Sequence, residues 1–205
     1  MPDILCIPSK LYLDLPSEQM DDVCTLLDII DSHGQWLSRD RLEQDENYLQ
    51  IIPYTAIVSI NDSNRSIFFY TRTPKGGDSR LHHKGSVGIG GHIDYYTAYD
   101  NMSFEDIIVS STIRELEEET NVENIEPETD MQFLTVIHDR SNAVGRVHVG
   151  LGGVVIVEPT MDVKSNEPEK IVGSMTSLAS LRNEIKKNSI DLEIWSDILL
   201  QNIGY

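Results

Sequence analysis

An α+β fold, with mostly antiparallel strands gathered in a mixed sheet between helices, is what the 205-residue sequence predicts. Three observations point to it. Apolar residues recur at helical spacing in two segments, near residues 17–32 and 104–120. Between and beyond them lie short runs rich in β-branched and aromatic residues, two of which flank a cluster of turn formers. Two more helix-like stretches close the chain. Strands interleaved with helices in this way pack as layers around a sheet.

Each element follows from local chemistry. A short strand lies around Lys10–Leu15. Ser17 then caps a helix running to Ser32, with Gly34 as its stop. Met20, Val23, Cys24, Leu27 and Ile30 share one face of that helix, which sends the Cys24 thiol inward. Residues 35–50 are polar and form an extended or short helical connection. Tyr54–Ile60 and Ser66–Arg72 make a hairpin about Asn61-Asp62-Ser63-Asn64. Gln132–His138 and Arg146–Val157 are two further strands. Gly152-Gly153 in the second marks a bulge or a close backbone approach. After a polar loop at Pro159–Lys170 come helices at Leu178–Lys187 and Asp191–Asn202. We divide the chain into an N-terminal extension, residues 1–50, and a main domain, residues 51–205.

The formal net charge of −18 restricts the partners. Duplex nucleic acid is bound largely through basic contacts, so it is excluded, and anionic membranes with it. A small phosphorylated substrate is not, because a bound divalent cation reverses the local field. No apolar run approaches bilayer length. The N-terminus lacks the basic and apolar regions of a signal peptide, so the expected location is cytoplasmic. Cys6 and Cys24 provide neither a disulfide framework nor metal-ligand spacing.

Phe104–Thr120 carries the chemistry. Ser103 is its N-cap, and Glu105 and Asp106 sit in the first turn, where the helix dipole favours negative charge. Ile108, Val109, Thr112, Ile113 and Leu116 face a core. Glu115, Glu118 and Glu119 stand at i, i+3 and i+4, so they project from one strip beside that face. Three like charges there destabilise a helix unless they are solvated or a cation compensates them. Mg²⁺ does this, since it prefers carboxylate oxygens and keeps waters for phosphate exchange. Arg114 is placed to orient one carboxylate from the side.

The stretch Arg114-Glu115-Leu116-Glu117-Glu118-Glu119-Thr120-Asn121-Val122 resembles the second half of the Nudix box, Arg-Glu-aliphatic-x-Glu-Glu-x-Gly-aliphatic. The departure is Asn121 for glycine, and Asn is the next best residue for a left-handed helix end. Upstream, Gly88-Ile89-Gly90-Gly91-His92-Ile93-Asp94 is similar to the glycine pair that opens the box. Between Gly91 and Arg114 this chain carries nine extra residues, placed at Asp94–Met102 as a loop. The box's isolated upstream glutamate then corresponds to Glu105 or Asp106. Arg80-Leu81-His82 and Glu193-Ile194-Trp195-Ser196 add to the likeness with a bacterial and phage subgroup.

The resemblance implies an α/β/α sandwich around a mixed sheet. It further implies Mg²⁺-dependent hydrolysis of a diphosphate linkage in a nucleoside diphosphate derivative, with Mn²⁺ as a substitute metal. Glu115, Glu118 and Glu119 would hold the metal, and Glu115, Glu118 and Arg114 would form the catalytic group. The general base is Glu115 or a loop acid, Glu158, Glu167 or Glu169. Arg72, Lys75, Arg80 and Lys84 concentrate positive charge just before the glycine turn. Of these, Arg80 and Lys84, with Gly91 and His92, are the expected substrate contacts. Trp195 reads as a packing residue. The rival readings are a nucleotide-binding module without hydrolysis and an interaction protein with a merely solvated acidic helix. A homodimer is left open.

Overall fold

The computed structural model describes residues 2–61, 64–75 and 84–204. Its centre is β3 (Tyr48–Asn61), a 14-residue strand whose middle is buried on both faces. Such a strand reads as an almost unbroken apolar run, here Leu49 to Ile60. β3 turns into β4 (Asn64–Arg72) with Asn61 opposite Asn64, the hairpin expected from the turn cluster. Along its other edge runs β8 (His148–Val157), parallel to β3 from Gln50↔His148 to Ser59↔Val157. β7 (Met131–Ile137) pairs antiparallel to β8. Its register shifts between Phe133 and Thr135, opposite Gly153 and Gly152, where an added Cβ would crowd Gln132 and Thr135. The sheet is therefore mixed.

Several elements differ from the sequence expectation. The first strand is β1 (Asp3–Pro8), and the stretch read as a strand around Lys10–Leu15 is a helical turn, α1 (Ser9–Leu13). β1 is buried on both faces, so it lacks the alternation that marks a half-exposed strand. The next helix, α2 (Val23–His33), starts later than Ser17; Asp22 caps it by accepting from the Thr25 amide, and Ser17–Gln19 is a single 3₁₀ turn. Gly34 does end it, its amide bonding to Ile30 O. The helix buries Leu26 and Ile30, so Cys24 falls on the exposed side rather than in the core. The polar connection contains β2 (Gln35–Ser38) and α3 (Arg39–Leu42), and β1 pairs with both β2 and β3.

The glycine segment is not a turn. Its residues form β5 (Gly85–Ser86) and β6 (Gly88–Gly90), which pair with β4 and β3. Gly90 lies so close to β3 that a Cβ would stand 2.2 Å from Pro53 O. Then follow α4 (Phe104–Glu119), α5 (Pro127–Asp130), β9 (Ile171–Ser177), α6 (Leu178–Lys186) and α7 (Ile194–Asn202). β9 pairs along β4 from Ser66↔Ser177 to Arg72↔Ile171, and its weak alternation gave no sequence signal.

Alternation along β3 sorts the core into two layers. Leu49 and Ile51 join Leu26 and Ile30 of α2 and Ile107 and Ile108 of α4 on one face. Ile57 packs with Leu116 of α4 on that same face. Tyr54, Ala56 and Val58 meet Leu178 and Leu181 of α6 and Leu199 and Leu200 of α7 on the other. The result is the α/β/α sandwich with a mixed sheet. No helix among the described residues is long and apolar enough to cross a membrane.

Candidate active site

α4 sets the geometry. Ser103 accepts from the Asp106 amide at its start, as expected, and Leu116 at 0% exposure anchors its last turn. With Leu116 pointing into the core, Glu115 and Glu119 are carried to the margin of the buried face and Glu118 to solvent. Arg114 lies among them. Its Nη2 is 2.8 Å from Glu115 Oε1, and its Nη1 is 3.3 Å from Glu118. Nη2 also reaches His92 O at 3.4 Å, and the guanidinium lies 5.8 Å from the Tyr96 ring centre. Arg114 thus contacts two of the three glutamates, Glu115 and Glu118.

Burial separates the glutamates. The Glu115 carboxyl is pushed up from its ordinary range, chiefly by desolvation, with Glu118 and Asp94 adding to it and Arg114 opposing. Glu119 is pushed further, to about 7, by burial against the counter-pull of Arg72, with Glu115 and Glu167 adding. Its Oε2 is sealed from solvent and has no hydrogen-bond partner among the described residues. An orphaned carboxylate oxygen in such a place is costly unless protonated or joined by a cation.

Gly91 makes room for this cluster. A Cβ there would lie 2.5 Å from both Cδ and Oε2 of Glu115. Next to it, His92 Nε2 sits 2.9 Å from Gln50 Oε1 and 3.1 Å from His148 Nε2, while His148 Nδ1 is 2.8 Å from Val144 O. His148 must donate from Nδ1 to that carbonyl, so its Nε2 accepts and His92 Nε2 carries the proton. Burial, with Arg39 and His148, pushes His92 down to about 3. It is a neutral donor, not a cationic phosphate contact.

A cleft of about 650 Å³ opens on these residues, lined among others by Arg72, Lys84, Gly91, His92, Glu193 and Trp195. Its floor is a polar network. The Tyr54 hydroxyl lies 2.7 Å from Ser196 Oγ and 2.8 Å from Ser86 Oγ, and the Val87 amide donates to Ser196 Oγ at 2.9 Å. Arg72 Nε meets Glu193 Oε1 at 3.3 Å. Trp195 packs edge-on to Tyr54, centroids 5.6 Å apart, and also lines the cleft.

Not every expected site residue joins the cluster. Lys84 lines the cleft but is 3.5 Å from Asp191, and Arg80 lies outside the described residues. Glu105 and Asp106 are in the opposite end turn of α4, roughly 14 Å along the axis from Glu115 at 1.5 Å per residue, so neither adjoins it. Asp94, three residues after Gly91 and the first residue of the insertion, is an acid outside α4 whose charge bears on Glu115. Asp94, Arg72, Glu193 and His148 were not singled out from sequence as site residues. The Glu193–Ser196 motif, the basic run from Arg72 and the glycine segment ending at Asp94 included three of them without assigning them a role. Asn121 is not left-handed: Thr120 ends α4 in extended geometry, and the positive-φ non-glycine residues described are Asn124 and Asn188. Asn121 instead clamps the following loop, its side chain accepting from the Lys164 amide at 2.7 Å and donating to Asp162 O at 3.1 Å.

No family model matches the chain. Protein YmaB of Bacillus subtilis (strain 168) is 32% identical over 178 residues, covering 87% of this chain and 82% of YmaB. The chain belongs to the YmaB family. Among solved structures this YmaB relative is similar to Tm1382, assigned to the Nudix hydrolases, at TM-score 0.70 and 23% identity, covering 97% of this chain and 96% of that one. A NUDIX hydrolase from Alicyclobacillus acidocaldarius matches at TM-score 0.55 and 9% identity, over 75% of this chain and 90% of that one. The NUDIX domain of Shewanella oneidensis NrtR, solved with ADP ribose, matches at 0.50 and 12%, over 75% and 85%. The fold is therefore that of the Nudix hydrolases, and the box-like segment read from sequence lies on α4, whose Glu115 abuts Gly91 of the cleft lining.

Proposed function

We propose that the chain is a Nudix-type pyrophosphohydrolase, cleaving a diphosphate linkage in a nucleoside diphosphate derivative with Mg²⁺ or Mn²⁺. The observation that carries this is a pair of half-buried carboxylates on one helix, Glu115 and Glu119, the first of them set against Gly91 of a nucleoside-sized cleft. Among the described residues no three His, Cys, Asp or Glu side chains already stand as a ligand set. The donors nevertheless suit a hard cation: all are carboxylate oxygens, and Glu119 Oε2 has no hydrogen-bond partner among the described residues. Glu115, Glu118 and Glu119 would hold the metal. When bound, the metal neutralises charge on the diphosphate and lowers the pKa of a water.

The chain's own residues do the rest. Arg114 keeps Glu115 and Glu118 oriented. Glu167, the loop acid whose charge reaches Glu119, and Glu115 are the candidates to take the proton of the attacking water. Glu158 lies at a separate hollow beside Ile60 and Ile156. Gly91 and the neutral His92 border the substrate, with Lys84 on the approach. In this reading residues 1–50 are an extension packed on the main domain, the chain works in the cytoplasm, and a homodimer stays open.

The test is phosphate release from a panel of nucleoside diphosphate derivatives with Mg²⁺ or Mn²⁺, beside Glu118→Gln. Metal-dependent cleavage lost in the variant is the expected result. Full activity in the variant would sink the metal assignment. One observation favours a second reading, a nucleotide-binding module: Arg114 already engages Glu115 and Glu118. The structurally similar NrtR domain was solved with ADP ribose bound. Ligand binding without turnover across the panel would select that reading.

A further inference from the structure

We infer that Arg72 receives the substrate's phosphate and that Glu193 positions it to do so; the inference rests on the phosphorylated-substrate reading above. Among the described residues, three cations line the cleft: Arg39, Arg72 and Lys84. Arg39 and Lys84 reach it from ion pairs with Glu43 and Asp191, which are 39% and 74% exposed. Water and salt weaken and loosen such pairs. Arg72 differs. Its partner Glu193 is 7% exposed, and the Tyr54 hydroxyl, itself buried, donates to the same carboxylate at 3.4 Å.

The arginine is fixed from other sides as well. Nη2 donates to the Tyr70 hydroxyl at 3.3 Å, and the guanidinium lies 5.5 Å from the Tyr70 ring centre. The Tyr70 hydroxyl is fixed in turn, donating to Gly88 O at 2.6 Å. Two edges of the fork are thus occupied, and no further hydrogen bond of Arg72 is seen among the described residues. The remaining donors serve the cleft that Arg72 lines. A planar fork held in place and facing a hollow suits two phosphate oxygens better than a mobile ammonium does.

Its second electrostatic neighbour fits the same purpose. The charge of Arg72 acts on Glu119, and Gly91 of the cleft lining lies against the Glu115 carboxyl, so the acidic strip stands just beyond the cleft that Arg72 lines. A diphosphate there would have Arg72 on one side and the carboxylates, with any cation they hold, on the other. A plain structural staple between β4 and the start of α7 would need neither the cleft exposure nor the second carboxylate.

The experiment uses the full chain and inorganic pyrophosphate as probe, titrated calorimetrically without metal and with Mg²⁺. Arg72→Ala weakens binding tenfold or more and Arg72→Lys about fivefold. Lys75→Ala, an exposed cation in the same run, stays within twofold. Glu193→Ala weakens binding, and Glu193→Gln, which keeps an acceptor for Arg72 Nε, restores it. The Arg72 Nε–H resonance, identified by its absence in Arg72→Lys, shifts when pyrophosphate is added. Should Arg72→Ala unfold, Arg72→Lys and this resonance carry the test. Affinity unchanged in Arg72→Lys, equal losses in Arg72→Lys and Lys75→Ala, or no pyrophosphate binding by the unaltered chain would overturn the inference. Turnover that survives Arg72→Ala but not Glu118→Gln would overturn it too, and leave the hydrolase standing.

Discussion

Substituting Gly91 by alanine separates the demands of the site from those of the fold. The added methyl would sit 2.5 Å from Cδ and Oε2 of Glu115. Ordinary contact needs about 3.5–4.0 Å, so one of the two must withdraw by roughly 1 Å. What is struck is the far end of a side chain, so the carboxylate moves and the backbone stays. The stability cost is the strained Arg114 contact, on the order of 1 kcal/mol for a partly exposed pair. The catalytic cost is larger, since a 1 Å misplacement of a reacting group lowers rates by about 100-fold. Gly90→Ala is the contrast: its methyl would meet Pro53 O at 2.2 Å, a backbone atom, and overpacking of that kind costs about 1–3 kcal/mol. Thermal melts and metal-dependent turnover measured on both variants read the two effects independently. If Gly91→Ala turned over at the native rate with an unchanged metal requirement, the placement of Glu115 in the reacting group would be refuted.

Three other outcomes follow. Glu119, raised from 4.5 to about 7, binds its proton more tightly folded than unfolded, so it adds stability below pH 4.5 that is lost as pH rises through 7. The loss is about 3 kcal/mol, absent in Glu119→Gln and reduced by Mg²⁺; urea unfolding at pH 5 and 8 measures it, and identical pH slopes in both proteins would contradict it. Asn121→Ala removes two clamps on the 162–164 loop and lowers stability by about 1–2 kcal/mol, and Asn121→Gly fails to restore it, as melting curves would register. Ellman's reagent titrates one thiol in the native chain, the exposed Cys24, because burial pushes Cys6 up to about 12; two fast-reacting thiols would refute this.

Sequence alone conveyed the parts whose signals are local. The hairpin at Asn61–Asn64, the Ser103 cap, the strip of Glu115, Glu118 and Glu119 and the two C-terminal helices each depend on neighbours a few residues apart. What it missed depends on long-range burial. β1 is an apolar run without alternation because both its faces are covered, whereas Lys10–Leu15 alternates yet coils, with the Tyr12 hydroxyl donating to Met20 O. Cys24 shares the apolar spacing of α2, but the start at Val23 turns its buried stripe to Leu26 and Ile30. At the site, the basic run pointed to Lys84 and Arg80, while the cation held rigidly in the cleft is Arg72, whose partner Glu193 lies 121 residues away. No spacing rule relates those two positions.

The N-terminal strand has a reach that its position in the chain conceals. The Leu5 amide donates to Ile93 O and the Tyr95 amide to Asp3 O, so β1 grips the backbone just past Gly91 and His92. Trp36 extends that grip, lying 5.3 Å from the Tyr95 ring and 6.4 Å from that of Tyr99. Anyone trimming this chain to a minimal domain beginning near residue 51 would therefore be removing the strand that holds the backbone next to Gly91 and His92, not a dispensable leader. The shortened protein would keep every acidic residue of α4 and lose the hold on the Gly91–His92 backbone, against which Glu115 and Arg114 are set.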